Sequence, residues 1–358
     1  KLLGILLMGI TVLYVISKGK IKSMPPNFIL LYLFVCWTMI SFFWSSDTSG
    51  TLTKIILFVQ LLLLLFAIYQ IPNNQDDLNK VLKSYVLGSS FLGILVLYNF
   101  ISSAGSIYTS RYIPEGYNPN DVGYTLLLAL PIAWYLVIKG YKKYILVLPL
   151  VMFCILLTAS RTAFLASVFV LLAILVYILS KKFKYKSLFV ISLPILLLVL
   201  VNYLPDNIKL RLNSIQYEIT SGTLNSRTTI WEEGISELQQ RPFHGVGYGA
   251  YAKATADDYG IGIELEAHNF VMSTAVETGL IGLILLGSFV VSTFFKSFKL
   301  DSAEKWMCIS ILGAWSVISI AKHTEVQKYT WIMLAIIWLF IYLKQKHSIE
   351  QQKIEHTI

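Results

Sequence analysis

Several stretches of 15 to 20 residues run through this chain almost without a charge. That is the length an α-helix needs to cross about 30 Å of hydrocarbon, where backbone N–H and C=O groups must be satisfied inside the segment. With 56% hydrophobic and 14% charged residues among 358, the chain is expected to be all-α, a polytopic transmembrane helical bundle embedded in the lipid bilayer. Spans are placed at about 2–17, 27–43, 52–70, 80–102, 122–138, 144–158, 163–179, 187–203, 269–295, 306–320 and 330–343. The resulting division is 1–203 (N-terminal helices), 204–267 (a long polar loop with short amphipathic helices), 268–343 (C-terminal helices) and 344–358 (a tail).

In a soluble protein a net charge of +9 would suggest nucleic acid. Here its distribution argues for topology and no nucleic acid. One alternating set of loops holds the lysines from Lys18, Lys20 and Lys22 through Lys182 and Lys184 to Lys296, Lys299 and Lys305, together with the tail Lys344, Lys346 and Lys353. The positive-inside rule makes that side and the C-terminus cytoplasmic. Eleven spans then put Lys1 outside, which expects a further segment ahead of it. Residues 2–17 read as a retained helix, since no small-residue cleavage site follows them. Cys36, Cys154 and Cys308 lie apart in apolar runs, as buried structural thiols do.

All five arginines, Arg111, Arg161, Arg211, Arg227 and Arg241, fall on the outer side. Topology needs only charge, whereas arginine adds a planar fork suited to phosphate and carboxylate. Arg111 sits among Tyr108, Tyr112 and Tyr117, ahead of an NPND helix cap at 118–121. The loop reads either as a cap alone or as a place to stack a sugar or bind an anion. Arg161, in LLTASRTAFLAS, lies at a membrane boundary. Such a charge is a functional candidate or an anchor to lipid phosphate.

In the long loop, Asn225-Ser226 caps an expected amphipathic helix with Ile230, Trp231, Ile235 and Leu238 as its apolar stripe, lying on the membrane surface. Arg227 opens this helix, where free N–H groups favour an anion, and Arg241-Pro242 ends it. The glycines of HGVGYGAY (244–251), which begins with His244, lack the strand of a nucleotide fold and suit tight turns or close approach of a substrate. Asp257-Asp258 lacks supporting ligands and reads as a solvated turn, so no metal site is expected. His268 opens the next span, with Asn269 beside it and Glu277 further along. A histidine at a helix end is more often structural than catalytic, but this residue type can serve as a base near neutral pH.

NSRTTIWEEGISELQQRPFHGVGYGAY followed by AHNFVMSTAVETGLIG resembles the O-antigen ligase and polymerase superfamily of bacterial membrane enzymes. The family's ligase motif is His, then Asn, Ser or Gln, nine residues, then Gly. It is met by His268, Asn269, residues 270–278 and Gly279. SRTAF at 160–164 and NPND at 118–121 resemble further family sequences, and the first hundred residues match only by hydropathy. The resemblance implies a GT-C-like, metal-independent inverting glycosyltransferase of the bacterial inner membrane, without a cofactor, active on the extracytoplasmic face. Arg161 and Arg227 would hold the diphosphate of an undecaprenyl-diphosphate-linked oligosaccharide, and His268 would deprotonate or orient the acceptor hydroxyl. Arg111, Arg241, His244, Asn269 and Glu277 would support them, Glu277 by orienting or neutralising an arginine.

A polymerase of surface polysaccharide is expected to use a second lipid-linked unit as acceptor, alongside a chain-length regulator and a flippase. A ligase would use a lipid core or another terminal acceptor. A carrier of lipid-linked sugars predicts charges deep within several helices, whereas the central spans have almost none. A peptidoglycan-type polymerase would require a key outer-loop aspartate; Asp206, Asp257 and Asp258 are available, in sequence unlike that family.

Overall fold

In this computed structural model, residues 9–11, 13, 14, 16, 17, 19, 21–103, 111–181, 186–221, 227–256 and 265–355 are described. Much of the expected 2–17 span, Lys18, Lys20, Tyr108, Lys182, Lys184, Asn225-Ser226 and Asp257-Asp258 lie outside them. The described residues are helical, with no strand among them. The helices with defined bounds are α1 (Phe28–Ile40), α2 (Thr48–Gln70), α3 (Gln75–Ser102), α4 (Pro119–Ile138), α5 (Val147–Leu157), α6 (Arg161–Ser180), α7 (Lys186–Asn202), α8 (Asp206–Ser221), α9 (Arg227–Gln240), α10 (Tyr251–Ala254), α11 (Phe270–Ser297), α12 (Ser302–Ser319) and α13 (Lys328–Glu355).

Six of these are long and apolar enough to cross a membrane: α2, α3, α4, α6, α11 and the Lys328–Gln352 part of α13. The chain therefore reads as an integral membrane protein. Helices α1, α5, α7 and α12 occupy four more of the expected spans but are shorter or more polar. Helix α5 has 11 residues, about 16 Å at 1.5 Å per residue, and α12 carries Glu304 and Lys305 near its start. Of the thiols, Cys154 and Cys308 are buried as expected, while Cys36 is exposed.

The chain forms two compact units. The first comprises Lys1–Leu78, Thr223–Leu300 and Ser319–Ile358; the second comprises Asn79–Gly222 and Asp301–Ile318. In the second unit α4 is the central helix, packed by α5 and α6. Its residues Val122 to Leu136, Thr125 excepted, are buried, as befits a helix that is apolar almost all round. Asn118 caps it, its side chain accepting the Asn120 N–H at 2.9 Å with Pro119 in the first turn. The NPND sequence thus does what its chemistry dictates.

In the first unit, α2 packs on α13, and α1 and α9 pack on α11. Its organising feature is a break inside α11. Gly279 has φ 66° and ψ −175°, backbone angles that essentially only glycine adopts. The break frees backbone groups that need partners, and residues 242–247 supply them. Val246 N–H donates to Val276 O at 2.9 Å and Gly247 N–H to Glu277 O at 2.9 Å, while Leu280 N–H reaches Pro242 O at 2.8 Å and Ile281 N–H reaches Phe243 O at 3.4 Å. The Trp37 indole N–H completes the set at Thr278 O, 2.8 Å away.

The inserted strip is held from its other side by residues 41–47. Ser46 N–H donates to Val246 O at 2.9 Å, Tyr248 N–H to Ser41 Oγ at 3.1 Å, and the Trp44 indole to His244 O at 3.2 Å. The glycines of HGVGYG therefore serve close approach of the chain to itself. A Cβ on Gly245 would overlap the backbone of 276–279, and one on Gly279 the backbone of Phe243.

Gly279→Ala is expected to destabilise the protein by about 2–4 kcal/mol, from the backbone strain and the overlap together. The control is Gly287→Ala, on the same helix with open space around its Cβ position. Thermal unfolding in detergent checks this; equal melting of the two variants would remove the break from its structural role.

Candidate functional site

His268 lies immediately before α11, with φ 47°. A left-handed backbone is uncommon for a non-glycine residue, although histidine and asparagine tolerate it better than most. Asn269 follows as the N-cap: its Oδ1 accepts the Met272 N–H at 3.0 Å, and its Nδ2 donates to Ile320 O at 3.2 Å. The two-residue turn separates the functions, Asn269 closing the helix while His268 stands outside it. The His268 ring stacks on His323 with centroids 5.8 Å apart and planes at 25°. Burial lowers the His268 pKa below the usual histidine value, Arg227 and Lys322 lower it further, and Glu266 opposes them. These influences favour the neutral, proton-accepting form of the imidazole.

Below this turn lies a buried ion cluster. Lys54 Nζ is 2.6 and 2.8 Å from the two carboxylate oxygens of Glu277 and 3.5 Å from Glu325 Oε1. Both carboxylates are 1% exposed and Lys54 12%. Ser273 Oγ donates to Glu325 Oε1 at 3.1 Å, and the Lys54 ammonium stands 4.8 Å from the Tyr248 ring centroid. The partner the structure gives Glu277 is thus Lys54. Burial raises the Glu325 pKa, against the pull of Lys54. The cluster ties α2, α11 and the turn Thr324–Val326 together around the strip inserted at the break.

Arg227 is the first residue of α9. This helix presents Ile230, Gly234 and Leu238 to the core, with Trp231 beside them, while Ile235 is 45% exposed. Ile230, Trp231 and Leu238 of the expected stripe thus face inward and Ile235 does not, and the face packs on Val246, Tyr251 and Val276 of the protein itself. Gly234 makes room for the Tyr251 ring, whose hydroxyl donates to Ile230 O at 2.7 Å. Trp231 Nε1 donates to Ala267 O at 2.8 Å, anchoring α9 to the residue before His268. Arg227 and His268 come within electrostatic reach in this way. Arg241, just ahead of the inserted strip, donates to Ser46 Oγ at 2.8 Å, and His244 within the strip packs edge-on against Trp44 at 5.6 Å.

Arg161 and Arg111 belong to the second unit. Arg161 is the first residue of α6, behind the N-cap Ser160 and the left-handed Ala159 (φ 49°). Ser160 Oγ donates to Asn120 Oδ1 at 2.8 Å, so SRTAF and NPND meet. Arg211 Nε donates to Ala159 O at 3.1 Å, and Tyr112 N–H, next to Arg111, donates to Leu157 O at 3.1 Å. Segments carrying three of the five arginines converge on 157–161. Sequence reasoning left Arg211 unassigned and gave Lys54, His323 and Glu325 no role. The one available signal for the last two was polar KHTEV (322–326) between apolar runs.

Residues 145–287 match the protein-family model described as O-Antigen ligase. This segment contains Arg161, Arg227, Arg241, His244, His268, Asn269 and Glu277. Among curated proteins, the chain is 40% identical over 86 residues to the exopolysaccharide production protein ExoQ of Rhizobium meliloti (strain 1021), a match covering 22% of this chain and 20% of that protein. The chain thus matches about a fifth of that relative's length.

Lys54→Met, which leaves two buried carboxylates without their cation, is expected to destabilise the protein by about 3–5 kcal/mol, and Lys54→Met/Glu277→Leu to recover part of that loss. Melting curves of the purified variants decide; a single variant as stable as the parent would show that the cluster holds nothing together.

Proposed function

We propose, from the resemblance to the O-antigen ligase and polymerase family and the match of residues 145–287 to the O-Antigen ligase model, that this chain is a metal-independent inverting glycosyltransferase. It takes glycan from an undecaprenyl-diphosphate donor on the outer face of the membrane and polymerises the repeat units of a surface polysaccharide. In this reading the chain is an eleven-span, GT-C-like bundle of the bacterial inner membrane with a cytoplasmic C-terminus. The observation that carries the proposal is His268, set on a left-handed turn directly before α11 and within electrostatic reach of Arg227.

The chemistry follows from that arrangement. His268 takes the proton of the acceptor hydroxyl as its oxygen attacks the anomeric carbon. The new C–O bond forms as the bond to the diphosphate oxygen breaks on the opposite face, inverting the configuration. The leaving diphosphate keeps the electron pair, and the Arg227 guanidinium stabilises its growing charge through paired hydrogen bonds. Arg161 is assigned the same chemistry on the strength of the resemblance. Arg111, Arg241 and His244 are assigned to supporting the substrate. Asn269 holds the backbone at the start of α11, and Glu277 holds Lys54 below it.

The printed name of the matched relative concerns exopolysaccharide production, which favours polymerisation. The family description names a ligase, which supports the second reading, transfer to a terminal acceptor. Purified protein given one synthetic undecaprenyl-diphosphate repeat unit is expected to produce a ladder of longer lipid-linked products. Transfer only after a separate acceptor is added makes it a ligase, and movement of the sugar lipid across the bilayer without transfer makes it a carrier.

His268→Ala is expected to abolish transfer while leaving folded protein. Arg227→Lys should be nearly as damaging as Arg227→Ala, a loss of about 100-fold or more if paired hydrogen bonding to diphosphate is lost in each. Full activity in Arg227→Lys would reduce the residue to a simple charge. Activity is expected to survive EDTA, and a reproducible requirement for added divalent metal would overturn the metal-independent mechanism.

A further inference from the structure

We propose that His323 is the positioning residue for His268: its imidazole lies nearly parallel beside the base and fixes the ring that receives the acceptor's proton. This rests on the reading of His268 as the base. The two rings stack at 5.8 Å and 25°, although 55 residues separate them in sequence. Their spacing is set by the backbone, because Asn269 Nδ2 donates to Ile320 O at 3.2 Å and so ties the start of α11 to the segment carrying His323.

That segment is unusually well fixed. Ser319 Oγ and Thr324 Oγ1 are hydrogen-bonded at 2.8 Å, Thr330 Oγ1 donates to Thr324 O at 2.8 Å, and the Trp331 indole donates to Glu325 O at 2.8 Å. Glu325 is in turn held by Lys54 and Ser273. The buried ion cluster is therefore the mount for His323, and His323 is the face on which His268 rests.

The stacking ring has to be neutral. His323 Nδ1 is buried without a hydrogen-bond partner. An imidazolium there would add an unsatisfied N–H donor. The charged and titratable groups facing His323 are Lys54 from α2, Lys322 beside it and His268 across the stack; burial first, then these three, push its pKa down to about 3. Those facing His268 are Arg227 from α9, Lys322 and His323 from the 319–327 segment, and Glu266 from the chain leading into α11. A neutral flat ring shields one face of His268 from water without adding a charge. It keeps the base in its proton-accepting form below the pH at which a free histidine, near about 6.5, would charge. Together with the left-handed backbone, it leaves the ring few orientations.

The test reads His268 directly, in purified full-length protein in nanodiscs. Diethyl pyrocarbonate acylates only neutral imidazole, so peptide mass spectrometry of carbethoxylated His268 across pH gives its titration midpoint whether or not the enzyme turns over. The expected midpoint in the parent protein lies below the ordinary histidine value of about 6.5. In His323→Ala it should move up toward that value and the plateau modification rate should rise, while His323→Phe, which keeps a neutral flat ring, should behave as the parent. In the transfer assay, His323→Ala should lose about tenfold or more in kcat with KM nearly unchanged, and the acid limb of its pH–rate profile should move to higher pH. His323→Gln reads the same way should the alanine variant not fold. An unchanged His268 midpoint in both ringless variants would overturn the proposal. Failure of the base reading is separate: an active His268→Ala ends that reading while the midpoint shift still reports the stack.

Discussion

A helix inside a membrane can be interrupted only if something else satisfies its backbone, and α11 meets that condition with another piece of chain. At Gly279 the helical path is lost, and the strip 242–247 donates to and accepts from residues 276–281, with Trp37 closing the last gap. Water cannot play this part in hydrocarbon. The requirement propagates outward. The strip must come close enough for backbone to meet backbone, which needs glycine at 245 and 279, and it must be pressed from behind, which residues 41–47 do. The spacing from His268 to Gly279 is thus the distance from the helix cap to the break. The motif reads as a mechanical unit as much as a chemical one.

The break also leads Glu277 to Lys54. A lone carboxylate buried beside apolar helices would be driven to its neutral form, and a lone ammonium likewise. Paired at 2.6 Å, with Glu325 and the Tyr248 ring around the same ammonium, each makes the other tolerable. Such a cluster is a poor source of net stability compared with well-packed apolar side chains. What it provides is register. A shift of α2 along α11 would strand a charge, whereas a shift between two smooth apolar surfaces would cost little. Lysine suits this place because one compact ammonium serves two carboxylates.

Much of this was legible in the chain itself. Uninterrupted apolar runs gave the helices, because hydrocarbon leaves the backbone few alternatives, and NPND announced its cap, because capping is local chemistry; that Asn269 rather than His268 closes α11 came from the structure. The active-site candidates His268 and Arg227 were named from the resemblance. What stayed hidden depends on partners distant in sequence. Lys54 lies 223 residues from Glu277, and Trp37 241 from Thr278, and nothing local marks either pair. The buried face of α9 was legible at Ile230, Trp231 and Leu238 but not at Gly234, which no hydrophobicity pattern selects and which matters because Tyr251 fills the space above it. His323 was invisible because its function consists of lying against another histidine.

The same backbone device recurs at two of the candidate residues. Ala159 and His268 are the non-glycine residues with left-handed φ among those described, and each stands directly before an N-cap, Ser160 and Asn269. In each case the chain turns sharply into a membrane-crossing helix, and the short polar cap takes an N–H that hydrocarbon could not satisfy. At 159 the turn places Arg161 on the first helical position. At 268 it places the histidine itself one residue outside the helix. The motif of the family that the chain resembles allows Asn, Ser or Gln after the histidine, and two of these three are strong N-caps, which fits a position where Asn269 closes α11. Histidine is among the residues that bear a left-handed turn with least strain. The residue suited to accept a proton is therefore also one of the few that can occupy the bend, and the bend is what frees its ring from the helix.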